Sequence, residues 1–286
     1  MSQEKWSVEI TAARKGLGLR LSELWRYRDL IYLLARRSFV AMYKQTILGP
    51  AWAILQPLLT TGVFTLVFGM LVGIRTEGPS MFLFYMCGSV AWNFFSRCLE
   101  KTAQTFADNE RLYSKVYFPR LCAPIATVLV TFISFLIQFV FFLCFLIVGN
   151  AVNHYGIQVD WILIALTPAV LIEMALLGMG VGIGLSALTV RYKDLTFLVG
   201  FGVSLWMYIS PVAYPTSVLS GNYPALKTLF MLNPMTPIIE FFRSAYLGSG
   251  SFRFLWWYIS LIETALLLVL GVFLFQKVEK NFADVI

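Results

Sequence analysis

Charge is scarce in this 286-residue chain: Asp, Glu, Lys and Arg together make up 13% of it, and there is one histidine, His154. A single histidine in a polar stretch argues against a His-based metal centre and against a Ser/His/Asp arrangement for nucleophilic catalysis. The four cysteines, Cys87, Cys98, Cys122 and Cys144, form no C-x-x-C pair. They read as small apolar fillers with free thiols rather than a disulfide framework. No G-x-x-x-x-G-K-[ST] run, no G-x-G-x-x-G after a strand and no acidic cluster spaced for a metal occurs, so no nucleotide-binding signature is present. The first 40 or so residues are too charged to hold the apolar region of a cleavable signal peptide. Catalysis by this chain alone is not expected, and it is expected to bind no cofactor.

Apolar residues are what the chain has in abundance: it is 59% hydrophobic, with a mean hydropathy of +0.76, far from a soluble domain. Residues 45–74, 78–96, 121–159 and 195–226 carry no charge, 161–190 is interrupted only by Glu173, and 254–276 only by Glu263. A bilayer core takes roughly 20 apolar residues of helix to cross, so each stretch holds about one span. Lipid offers the backbone no hydrogen-bond partners, which makes the spans helical; the period-two alternation of a membrane barrel is absent. The expected fold is an all-α integral membrane protein with six transmembrane helices, over about 48–73, 81–99, 121–148, 161–188, 195–209 and 254–275.

The bases fall on alternate sides of these spans. Lys5, Arg14, Lys15, Arg20, Arg26, Arg28, Arg36, Arg37 and Lys44 precede the first; Arg97, Lys101, Arg111, Lys115 and Arg120 lie between the second and third. Arg191 and Lys193, then Lys277 and Lys280, complete eighteen of the 22 bases on one side, leaving Arg75, Lys227, Arg243 and Arg253 opposite. The positive-inside bias puts both termini in the cytoplasm. The net charge of +7 reads as contact with anionic lipid headgroups rather than nucleic acid, because the bases are spread along one membrane face.

Residues 1–44 read as a cytoplasmic segment and 45–286 as the membrane domain. Within the first, 22–44 is an amphipathic helix: Arg26, Asp29, Arg36, Arg37 and Lys44 share one arc, while Leu24, Tyr27, Ile31, Leu34 and Ala41 lie mostly away from it, and Ser22 is placed to cap its start. It reads as interfacial, lying along the membrane, the alternative being a solvated helix of a small cytoplasmic domain. A bend is expected near Gln56-Pro57. Residues 100–120 suit a short helix parallel to the membrane that serves as a docking surface. Gly178/Gly182 and Gly180/Gly184 have the G-x-x-x-G spacing of close helix packing. The proline-broken stretch 210–247 suits short re-entrant or interfacial outer helices.

Two groups admit more than one reading. Glu173 and Glu263, near mid-membrane, are either hydrogen-bonded structural carboxyls or the coupling groups of an ion-driven carrier. Trp52, Gln56, Phe64 and Phe68, with Tyr85, Trp92 and Phe95, are either packed or lipid-facing, or line a path suited to sugar rings, whose faces are apolar and whose edges hydrogen-bond.

Several strings in this order resemble the ABC-2 type polysaccharide-export permeases. They are Arg28-Asp29-Leu30, Tyr43-Lys44-Gln45-Thr46-Ile47-Leu48-Gly49-Pro50-Ala51-Trp52, Leu55-Gln56-Pro57, Lys115-Val116-Tyr117-Phe118-Pro119-Arg120, Val190-Arg191-Tyr192-Lys193-Asp194 and Asn233-Pro234-Met235-Thr236-Pro237. The resemblance runs from about Leu21 to the C-terminus. It implies a permease subunit of the cytoplasmic (inner) membrane that works as a homodimer with two copies of a separate ATP-binding-cassette ATPase, which would hold the ATP and Mg. The implied cargo is an undecaprenyl-linked glycan, O-antigen-like, with teichoic acid or capsule as the alternatives. The resemblance also implies a coupling helix over 108–115, containing Asp108, Asn109, Glu110, Arg111, Leu112, Tyr113 and Lys115, a gate helix over 22–44 and an outer gate over 210–247. Arg26, Arg36, Arg37 and Lys44 are then candidates for the lipid pyrophosphate, with anchoring to anionic lipid an equal alternative.

Overall fold

The computed structural model describes residues 21–44, 49–113, 116, 118–189, 192, 194–218 and 224–281. Among these there is no strand. Two helices come first, α1 (Leu21–Arg26) and α2 (Arg28–Tyr43). A 3-10 turn leads into α3 (Trp52–Phe64), which continues as a π-helical stretch Thr65–Leu71. Then come α4 (Met81–Ala103), α5 (Thr105–Tyr113), α6 (Cys122–Asn153), α7 (Trp161–Thr189) and α8 (Leu195–Ile209). The chain closes with α9 (Pro224–Met231), α10 (Met235–Leu247) and α11 (Phe254–Asn281).

The six expected spans correspond to α3 with its π-helical extension, α4, α6, α7, α8 and α11. Four are long and apolar enough by themselves to cross a membrane: Trp52–Leu71, Cys122–Asn153, Trp161–Thr189 and Phe254–Lys277. α4 owes its lower hydropathy to its position, because it is the buried centre against which α3, α6, α7, α8 and α10 all pack. α8 has 15 residues, about 22 Å of helix, so it is short for a bilayer core.

α3 carries Pro57 in its interior, and the backbone departs from α-helical geometry further on, at Thr65–Leu71, where Gly69 is covered by Met81 and Tyr85. Two local expectations change. The helix expected over 22–44 is two helices separated at Tyr27, and Ser22 falls inside α1, not at a cap. Its apolar side, Ile31, Leu34 and Ala35, is covered by protein, namely Phe118, Cys122, Ala126 and Val130 at the start of α6.

α7 is held on two sides by glycine. A side chain at Gly178 would meet Cβ of Cys98 at 2.7 Å, and one at Gly182 would meet the Leu99 carbonyl oxygen at 2.6 Å, both on α4. On the other face, Gly180 would meet Cα of Leu268 at 2.7 Å and Gly184 would meet Cα of Gly271 at 3.2 Å, both on α11. The two interleaved G-x-x-x-G pairs therefore serve different partners, letting both backbones approach where lipid gives helices no hydrophobic push together.

Gly180→Leu should part α7 from α11. The expected result is loss of the monodisperse peak in detergent gel filtration, with a cost of at least about 1–3 kcal/mol for overpacking. Gly200→Ala, on α8 with nothing within 4 Å of the added carbon, should leave the profile unchanged.

Candidate functional site

One end of the bundle carries α2 and α5. α5 is pinned by Phe106, which stacks on Phe275 of α11 with centroids 4.5 Å apart and packs beside Ile183 of α7 and Val272. Its C-terminal Tyr113 packs on Phe118 and donates its hydroxyl to the Arg120 carbonyl at 3.2 Å, with the Arg120 guanidinium 5.8 Å from its ring centroid. Thr189, the last residue of α7, donates to the Ala103 carbonyl at the end of α4 at 2.7 Å. α5 thus rests on the ends of α4, α6, α7 and α11 together, and a force applied to it reaches four spans.

The expected docking residues divide. Asp108 is exposed, whereas Asn109 is half-buried and donates back to the Thr105 carbonyl at 3.0 Å. Leu112 and Tyr113 face inward, against the α2–α6 cluster; their apolar surface is used to seat α5, so they are not part of its outer face. The side chains of Glu110 and Arg111, and Lys115 altogether, lie outside the described residues.

Arg26 at the end of α1, Arg36 and Arg37 on α2 and, just beyond that helix, Lys44 are exposed. Trp25, Tyr32, Leu33 and Val40 are exposed among them. A surface mixing bases with aromatic and aliphatic groups matches a headgroup layer.

The aromatic stripes mostly close on themselves. Phe64 packs on Phe68 and Tyr85, with centroids 5.5 and 6.2 Å apart. Trp92 and Phe95 close around Trp206 at 6.5 and 5.0 Å. Phe64, Tyr85, Trp92 and Phe95 are therefore buried core groups among the described residues, since large rings fill the seams between α3, α4 and α8. Phe68 is half-buried beside them. Trp52 and Gln56 remain exposed, and Gln56 accepts from Arg97 Nη2 at 2.6 Å.

The two membrane glutamates differ. Glu173 is 2% exposed, accepting from Trp257 Nε1 and Ser260 Oγ of α11, each at 2.6 Å; Ser260 Oγ also lies 3.0 Å from the Pro234 carbonyl. It links α7, α11 and the approach to α10, as a structural carboxyl does. Glu263 is half-buried, and its enclosed Oε2 has no hydrogen-bond partner among the described residues.

At the far end lies a knot that sequence reasoning missed. Arg243 is 0% exposed: Nη1 meets Glu240 Oε1 at 3.1 Å, Nη2 donates to the Val212 carbonyl at 3.1 Å, and the guanidinium sits 3.7 Å from the Phe84 ring centroid. Glu240 Oε2 accepts the Ser251 backbone N–H at 2.7 Å. Asn233 forms a second knot, accepting from Trp206 Nε1 at 3.0 Å and donating to Ser210 Oγ at 2.9 Å. The available signal was an acid and a base at i and i+3 inside an apolar, proline-rich stretch.

The sequence profile of the ABC-2 type transporter family matches residues 29–247, most of the chain. The chain belongs to that family. Among its relatives is the O-antigen export system permease protein RfbA of Klebsiella pneumoniae, 24% identical over 258 residues, covering 90% of this chain and 95% of the relative. The protein of the same name from Myxococcus xanthus is 28% identical over 224 residues, covering 78% and 82% respectively. This ABC-2 permease is thus a multi-pass membrane protein whose relatives are transport subunits, and the family in general works with an ATP-binding-cassette ATPase.

Replacing Arg243 with Met strands the Glu240 carboxylate in the bundle. Loss of one partner of a buried pair costs about 3–5 kcal/mol, so the variant should melt well below wild type in a detergent thermal-shift assay, with the Glu240→Gln/Arg243→Met double variant partly restored.

Proposed function

We propose that this chain is the membrane-spanning permease of an ATP-driven exporter that carries a lipid-linked polysaccharide, O-antigen-like, across the cytoplasmic membrane. The observation that carries this reading is the family match over residues 29–247 together with relatives that are O-antigen export permeases along nearly their whole length. Those names favour O-antigen over teichoic acid or capsule.

In this reading two copies of the chain form the conduit, and two ATPase copies hold the ATP and Mg. Residues 1–44 form the cytoplasmic segment with the gate helix, residues 45–286 the transmembrane domain, and both termini are cytoplasmic, as the positive-inside bias requires. α5 meets the ATPase through exposed Asp108, with Asn109, Glu110 and Arg111 as the further docking residues of this reading. Closure of the ATPases pushes α5, and the contacts of Phe106 and Tyr113 pass that motion to α7, α11 and α6. α2 rides on the start of α6, so the same displacement moves Arg26, Arg36, Arg37 and Lys44, which hold the lipid pyrophosphate as charge-assisted donors. α8 buries only Val203 and leaves Phe197 (83% exposed), Phe201 and Leu205 uncovered, a face open to lipid or to a second copy. Glu173, satisfied by Trp257 and Ser260, is structural here.

Reversing Glu110 and Arg111 together (Glu110→Lys, Arg111→Glu) should leave the protein inserted but release the ATPase on co-purification and abolish surface glycan in a complemented null strain. Unchanged complex formation and export would remove α5 from the docking role. Glu173→Gln with Glu263→Gln should retain export; complete loss of transport without loss of protein would favour an ion-coupled carrier.

A further inference from the structure

The end of the bundle away from α2 and α5 holds a cavity that the mechanism above does not use. α6 has 32 residues, about 48 Å of helix, and separates the two ends. The cavity is an open depression of about 560 Å³ between the segment before α7 and the turn after α10, lined by Gln158, Asp160, Trp161 and Ser244 among others. A second cavity of about 290 Å³ adjoins it, sharing Gln158 and Gly248.

The turn beneath is rigidly held, and exposed polar groups, Gln158 and Asp160, stand at the rim. The turn is fixed from beneath, because Glu240 Oε2 holds the Ser251 N–H and a side chain at Gly250 would meet that same oxygen at 2.9 Å. Gly248, at φ +61°, lets the turn approach the Gln158 carbonyl to a distance that leaves no room for a Cβ. Asp160 Oδ1 caps α7, accepting from the N–H groups of Ile162 and Leu163 at 2.9 and 3.2 Å. Among the described residues nothing bonds Asp160 Oδ2 or the Gln158 amide. Ser249 Oγ is enclosed behind the turn, out of a ligand's reach, and has no hydrogen-bond partner among the described residues. Trp161 is 74% exposed at the rim. No Lys or Arg lines either cavity, so an anion finds no counter-charge there. One carboxylate oxygen, an amide, the Ser244 hydroxyl and an open indole face match a neutral ring with an apolar face and hydroxyl edges.

We infer that this cavity binds a neutral monosaccharide unit, taking one sugar of the exported glycan at the outer end of the conduit. This rests on the proposed cargo. A sugar held there by the Asp160 carboxylate and the Trp161 face is retained against sliding back while the next unit enters.

The test is a titration of the full chain in nanodiscs with single hexoses, N-acetylhexosamines and 6-deoxyhexoses, and with lipid-free glycan from the host, read by saturation-transfer NMR and indole fluorescence. Asp160→Asn keeps a helix cap of equal rank but replaces an acceptor with a donor. Trp161→Phe keeps an apolar ring and removes the reporter. Wild type should saturate with at least one of these sugars, Asp160→Asn should bind it about tenfold more weakly, and Trp161→Phe should lose the fluorescence change. No binding of any probe by wild type, or equal binding by Asp160→Asn, overturns the site. In a null strain, surface glycan restored by wild type and reduced by Asp160→Asn supports its role in export, and equal restoration by both removes that role. If wild type restores no glycan, the cargo assignment falls, while the titration still decides whether the cavity takes a sugar.

Discussion

In lipid, helices gain nothing by hiding apolar surface from one another, so a stable bundle needs backbones that fit closely. Here that fit centres on α7. Gly178 and Gly182 admit α4 on one side, and Gly180 and Gly184 admit α11 on the other. α4 in turn carries α3, α6, α8 and α10. The packing among the described helices therefore centres on α7 and α4, and α5 rests on the ends of both.

Polar groups then fix the register that smooth glycine faces leave loose. Glu173 ties α7 to α11 through Trp257 and Ser260; Asn233 ties α8 to the approach to α10; Arg243 and Glu240 hold α10, the segment around Val212 and the turn at Ser251. A hydrogen bond or ion pair that loses its partner inside a bilayer has no water to turn to. Each knot therefore resists sliding more strongly than its bond count suggests. The α5 end relies instead on ring packing at Phe106 and Tyr113, which transmits force without locking one register.

Much of this was legible in the sequence. Runs free of charge gave the spans, and α8 occupies 195–209 as expected, because neighbouring charges and Ser210-Pro211 bound it sharply. The G-x-x-x-G spacing pointed to packing but not to two partners, since a helical wheel shows a face without saying what sits on it. For Phe64, Tyr85, Trp92 and Phe95 the sequence leaves packing and lining open for the same reason: composition does not separate a ring facing a path from a ring facing Trp206. The apolar arc of α2 was recognised, but its cover came from α6, about 90 residues on. Arg243 counted as an outer charge because burial of a base depends on Glu240, Val212 and Phe84 meeting around it. The cavity at Asp160 and Ser249 joins segments far apart in the chain and left no local pattern.

The proposed exporter is a conduit with no motor of its own, driven through α5 and gated by the bases of α1 and α2. The most direct measurement is translocation of a lipid-linked glycan in proteoliposomes containing this chain with or without a cognate ATP-binding-cassette ATPase. The account predicts ATP-dependent transfer only when both are present, and none when the ATPase cannot hydrolyse ATP. Transfer by this chain alone, in the absence of the ATPase, would contradict it.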